Sequence, residues 1–288
     1  MWLTLPLLAA LVAPAQPPAK PPAAGGLTLT NVRSTFGPFG GTRPPAPMLP
    51  GDLLFLAFDI GGVNPTTEGK ATYTMKMEVK DAAGKKWFGE EPFTKTDDIP
   101  LGGTSLPGIA FTFIGYDQPP GNYILTLAVT DEAKRSTGFS HPFIVAPKGL
   151  GVVAVGTSLD ERGQMPVPNG GFVGQTLTCH FYVVGFGRDD PATRKGAAKL
   201  DPKAAKPGPQ PNAEVEMVVT ENGKPVLAKP AVTTVEGGLK DDEPAFNLRY
   251  AVPLTRPGRF VVTMTVTDRV TGKKASFSLP LTAVPPPG

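Results

Sequence analysis

The chain has 288 residues, a length that suits two ordinary domains, with 40% apolar and only 18% charged residues. Its net charge of +3 is too small to argue for a nucleic-acid partner, which needs a concentrated basic face, so none is expected, and its 8% of aromatic residues is mostly phenylalanine, better suited to cores than to base stacking. A single cysteine, Cys179, excludes an intrachain disulfide and a cysteine-based metal site, so apolar burial alone has to hold the fold.

Residues 2–12 form an apolar run too short to span a membrane, followed by the small-residue site Ala13-Pro14-Ala15. Residues 1–15 therefore resemble a secretory signal peptide, although no Lys or Arg precedes the run. No cysteine follows that could carry a lipid anchor. The expectation is an exported protein, periplasmic or extracellular, with no transmembrane span in the mature chain. Residues 16–25 are rich in Pro and Ala and are expected to be disordered.

Beyond residue 25 the apolar residues follow period-two alternation, the mark of half-buried strands, and no stretch shows a 3.6-residue apolar period of helical length. The many glycines (34) and prolines (35) punctuate it with turns. Strands are predicted near 27–33, 53–60, 71–80, 86–93, 108–114, 121–130 and 137–145. A second set is predicted at 150–157, 175–184, 213–220, 224–235, 245–252, 258–267 and 274–283.

The second set repeats the first. Tyr123, Leu125, Leu127 and Val129 alternate with polar residues after Pro120-Gly121 and end at Thr130-Asp131. Phe260, Val262, Met264 and Val266 do the same between Pro257-Gly258 and Thr267-Asp268. Upstream, Leu54, Leu56, Phe58 and Ile60 match Leu177, Cys179, Phe181 and Val183, residues 73–85 match 213–224, and 109–113 match 246–250. These correspondences predict an all-β fold of two tandem seven-stranded immunoglobulin-like β-sandwich domains, at 26–147 and 148–284. The linker at 146–150 is short, which predicts limited flexing and a modest contact between domains, and 285–288 is an extended tail.

The stretches "PPGNYILTLAVTDEAKRSTG" and "RPGRFVVTMTVTDRVTGKK" resemble the penultimate hairpin of bacterial extracytoplasmic Ig-like domains, of immunoglobulin or fibronectin III type. That resemblance implies a sandwich that hosts many roles rather than one chemistry.

A search for catalytic residues returns none. His180 is adjacent to Cys179, but neighbours on a strand point to opposite faces, so the pair forms no dyad. Cys179 reads as a buried thiol, His180 as an outward strand residue and His141 as structural. Asp131 and Asp268 read as turn acceptors, with Gly138 and Gly272 supplying positive φ. The acids at 241–243 read as solvated, a weak calcium site being the lesser reading. No cofactor is implied. Trp87, the one tryptophan after residue 2, reads as a packed edge, with sugar stacking as the alternative and an accessory carbohydrate-binding protein as the corresponding function. Phe36 and Phe39 read as a plug closing the end of a core, or else as an exposed loop.

One feature is not duplicated: the insertion 187–212, rich in Ala, Pro, Gly and Lys and expected to be disordered. Its cations Arg188, Arg194, Lys195, Lys199, Lys203 and Lys206 are expected at the same end as Arg269, Lys273 and Lys274. That mildly basic end is a candidate docking surface for an anionic envelope polymer or another envelope protein, or else a tolerated insertion. The function expected from all of this is non-enzymatic binding or scaffolding at the cell envelope.

Overall fold

The computed structural model describes residues 26–194 and 208–287. The expected leader at 1–15, the segment 16–25, Lys195, Lys199, Lys203 and Lys206 lie outside the described residues. Alternation gives the first set of strands: β1 (Thr28–Thr35), β2 (Leu53–Gly61), β3 (Lys70–Asp81), β4 (Lys86–Gly89), β5 (Phe93–Asp98), β6 (Ser105–Phe113), β7 (Gly121–Asp131) and β8 (Ser136–Val145). The second set is β9 (Gly151–Ser158), β10 (Gly170–Phe172), β11 (Thr176–Val184), β12 (Arg188–Asp189), β13 (Gln210–Pro211), β14 (Ala213–Glu221), β15 (Lys224–Pro225), β16 (Ala231–Val235), β17 (Ala245–Pro253), β18 (Gly258–Asp268) and β19 (Lys274–Val284).

The fold is all-β and Ig-like. Sheet β1-β2-β6 faces sheet β4-β3-β7-β8, and sheet β9-β11-β17 faces β10-β19-β18-β14. Two apolar clusters fill the gaps. The first holds Leu56, Phe58, Tyr73 and Leu125; the second holds Cys179, Phe181, Val215 and Met264. The predicted strands at 86–93 and 224–235 are corrected. Each is two short strands, β4 with β5 and β15 with β16, and both members of each pair bond the same partner, β3 or β14. β10, which runs parallel to β19, has too few residues to show a period.

The turn acids hold the β7–β8 and β18–β19 hairpins. Asp131 accepts the Arg135 N–H, and Asp268 accepts the Val270 N–H and the Thr271 hydroxyl. Gly272 has φ +72°, but in the first hairpin Lys134 at +60° takes the left-handed position assigned to Gly138.

The contact between the sandwiches is larger than a five-residue linker suggests. The loop from Phe36 to Asp52 leaves β1 and reaches across. Phe36 is 4% exposed and belongs to the second core, so it is a plug, but for the other sandwich, whereas Phe39 is 55% exposed and takes the exposed-loop alternative. Asp52, 1% exposed, takes the guanidinium of Arg43, the Leu53 N–H and, at 2.9 Å, the Ala154 N–H on β9. Met48, in the same loop, bridges in parallel to Val145 of β8 and so ties the loop to its own sandwich.

Candidate functional site

The basic end forms only in part. The Gly187 N–H donates to Asp268 and the Arg269 N–H to the Asn212 carbonyl, so the insertion's base does lie against the β18–β19 turn. The expectation of disorder across 187–212 is corrected at both ends. β12 pairs with β13, and Asp190 caps a 3-10 turn at Pro191–Thr193.

The arginines have internal acceptors. Arg194 bonds Asp189 and the carbonyls of Gln210, Pro211 and Glu236, and Arg188 bonds the carbonyls of Pro209 and Glu243 and lies over Phe186. Arg269 pairs with Glu214. Guanidinium groups held by internal acceptors have few donors left for an incoming anion. Lys273 and Lys274 are exposed. At the calcium alternative, Glu243 accepts the Lys240 N–H, and the described residues contain no group of three potential metal ligands.

Trp87 is a half-buried packed edge. Its indole N–H donates to Asp81 at 2.9 Å, Lys85 lies 4.2 Å from the ring centroid, and Tyr123 meets it edge-on.

Cys179 is fully buried and points into the second core, where burial pushes its thiol up to about 12. His180 faces the other way, against Gly156 and Gly163, and burial followed by the nearby Arg249 charge lowers its pKa. His141 lies 3.3 Å from the Ser34 hydroxyl, and burial lowers its pKa as well.

The feature that stands out was missed by the sequence reading. β2 and β6 pair with Leu56 opposite Ala110 and Phe58 opposite Gly108. β11 and β17 pair with Cys179 opposite Tyr250 and Phe181 opposite Leu248. With Leu56 equivalent to Cys179, Ala110 is equivalent to Tyr250. The alignment of 109–113 with 246–250 is therefore wrong by three residues, and an odd slip exchanges the two faces of a strand. The inward residues of β6 are Leu106, Gly108, Ala110 and Thr112. A Cβ on Gly108 would stand 2.2 Å from the Phe58 ring, so the large residues of β2 occupy the space that β6 leaves.

Ile109, Phe111 and Phe113 consequently point outward. Phe111 is 55% exposed and Phe113 47%. Phe111 stacks on Phe55 with centroids 5.5 Å apart, and Phe113 meets Tyr116 edge-on at 5.4 Å. A cleft of about 360 Å³ opens beside them, lined by Val79, Trp87, Phe88, Thr112, Phe113 and Phe143 among others. The equivalent outward row of the second sandwich is Asn247, Arg249, Ala251 and Pro253. The second sandwich thus carries no aromatic residue along this row.

No protein-family model matches the sequence, and no curated protein is similar to it. Among solved structures, it is similar to red sea bream transglutaminase (TM-score 0.26, 9% identity, 91% of this chain and 31% of that one). It is also similar to the C-terminal domain of the Streptococcus pyogenes antigen I/II-family protein AspA (TM-score 0.28, 10% identity, 89% and 99% covered). A third similarity is to the C-terminal domain of the Streptococcus agalactiae antigen I/II polypeptide BspA (TM-score 0.29, 11% identity, 88% and 100% covered). Likeness at these scores carries no argument about function.

Proposed function

We propose that this chain is a non-enzymatic, exported binding or scaffolding protein of the cell envelope, built from the domains 26–147 and 148–284. In this reading residues 1–15 direct export, and the first domain presents its recognition surface on the outside of β1-β2-β6. One observation carries it: Ile109, Phe111 and Phe113 stand where the second copy of the same fold has Arg249, Ala251 and Pro253. Adjacent exposed aromatic residues on one sheet face, in place of scattered single ones, fit a contact site. An anionic partner at the basic end is the weaker proposal, because Arg188, Arg194 and Arg269 already have internal acceptors.

The test compares capture from envelope extract by the wild-type chain, by Phe111→Ser/Phe113→Ser and by Asn247→Ser/Arg249→Ser. The reading expects a partner retained by the first and third and lost by the second. Retention indifferent to the phenylalanines removes it, as does a hydrolytic or transfer activity abolished by substituting a single loop residue.

A further inference from the structure

The backbone of β6 is as open as its outer face. The residues flanking the strand, Thr104 and Ile114, both bond toward β2: Ile114 N–H donates to the Asp52 carbonyl, and the Thr104 carbonyl accepts the Val63 N–H. Bonding direction alternates along an antiparallel strand. The even residues of β6 therefore bond β2, and the backbone groups of Pro107, Ile109, Phe111 and Phe113 turn to the opposite side. Among the described residues β6 pairs with β2 alone, so that side is a free edge. Pro107 fits this placement, since a proline in a strand sits where its missing N–H faces outward.

Natural edges are guarded by charges, prolines or short length. β17 has Arg249 at the position equivalent to Ile109. β6 spans nine residues without one charged side chain, and Pro107 guards only its first half. The unguarded half, Ile109 to Phe113, also adjoins the apolar cleft between β6 and β4.

We propose that β6 is a strand-addition site: an extended, uncharged peptide with alternating apolar residues pairs with the Ile109–Phe113 edge. It places one inward side chain in the cleft beside Trp87 and Phe88 and lays its outward side chains beside Phe111 and Phe113. Main-chain bonds supply the affinity, and the cleft selects the side chain. The charge pattern identifies the occupant. The edge has no charge, and Asp117, the one charged residue lining the cleft, is paired with Lys148. Area decides against a second copy. Phe111 and Phe113 together expose about one phenylalanine's surface, roughly 200 Å². An edge contact of five residues stays well below the roughly 800 Å² per partner of a stable complex.

This inference rests on reading the outer face of β6 as a binding surface. Its test uses the full chain and an end-capped, fluorescein-labelled peptide without charged residues, Ser-Thr-Ile-Thr-Phe-Thr-Ile-Thr-Ser, read by fluorescence polarisation. Binding is expected to weaken about tenfold or more in Ile109→Lys, which copies the guard of the second sandwich, and to be unchanged in Arg249→Lys. Hydrogen exchange at the amides of Ile109, Phe111 and Phe113 is expected to slow on binding. A peptide N-methylated at alternate residues is expected to fail in one of its two phases. Equal binding in both phases overturns strand addition while leaving the aromatic face a binding surface. Absence of peptide binding up to about 1 mM overturns the proposal. So does a dimer of the chain that Ile109→Lys dissociates, because a second copy is then the occupant. Loss of the extract partner through the phenylalanines alone, with Ile109→Lys silent, keeps the functional reading and rejects the strand.

Discussion

Phe36 leaves the last strand residue of β1 and sets its ring edge-on against Phe277 of β19, with centroids 5.4 Å apart and planes at 87°. One sandwich thereby supplies a core residue to the other. The two sandwiches are in this way a braced pair.

Phe36→Ala should remove that brace. Truncating a buried phenylalanine costs about 3–5 kcal/mol. The loss is expected to fall on the second core, although the residue belongs to the loop after β1. Urea unfolding should show the destabilisation, and limited proteolysis should cut faster between residues 36 and 52.

Asp52→Asn keeps the shape and removes the charge beneath Arg43 and the Ala154 N–H. Hydrogen bonds to charged groups contribute about 1.5–3 kcal/mol, so a decrease of that size in unfolding free energy is expected. Small-angle scattering should report a wider distribution of angles between the sandwiches. An unchanged profile together with unchanged stability would show that the carboxylate does not join them.

Gly108→Ala tests the face assignment of β6. The added methyl would meet the Phe58 ring, and overpacking of this kind costs about 1–3 kcal/mol. Phe58→Leu in the same chain should recover part of the loss, giving a coupling energy in a double-mutant cycle. If Gly108 faced solvent, the substitution would be neutral or slightly stabilising.

Stability should form a plateau in pH. Burial lowers His141 and His180 below their ordinary 6.5, so the unfolded chain binds protons first. The stability they contribute is complete above pH 6.5 and is lost as pH falls through their folded values. Cys179 runs the other way: raised from 9.0 to about 12, it contributes fully below pH 9 and loses stability as pH climbs toward 12. Urea midpoints measured from pH 4.5 to 10.5 should therefore be flat between about 6.5 and 9. The acid-side slope should decrease in His141→Gln. The buried thiol should also resist iodoacetamide until denaturant is added, because the thiolate is the reactive form.

Most of the strands and the turn acids were legible because each is a local pattern. Alternation over Tyr123–Val129 and Phe260–Val266 needs no partner to be recognised, and neither does an aspartate that opens a turn. The basic end was half legible. Charge counts place Arg188, Arg194 and Arg269 together, but an arginine's acceptors are carbonyls far along the chain, such as Glu236 and Glu243. No spacing rule finds them.

β6 shows where local pattern runs out. "SLPGIAFTF" is apolar in both phases, so hydrophobicity favours turning its phenylalanines inward. Which phase faces the core depends on the volume left by the opposing strand, and Phe58 and Leu56 have already filled it. Phe36 is similar: a phenylalanine at the end of a strand, before Gly37-Pro38, can be read as a plug without saying which core accepts it. Periodicity along one chain selects strand and turn because those are short-range choices. Register, facing and the brace between sandwiches come from packing, where the available space is set by residues distant in sequence.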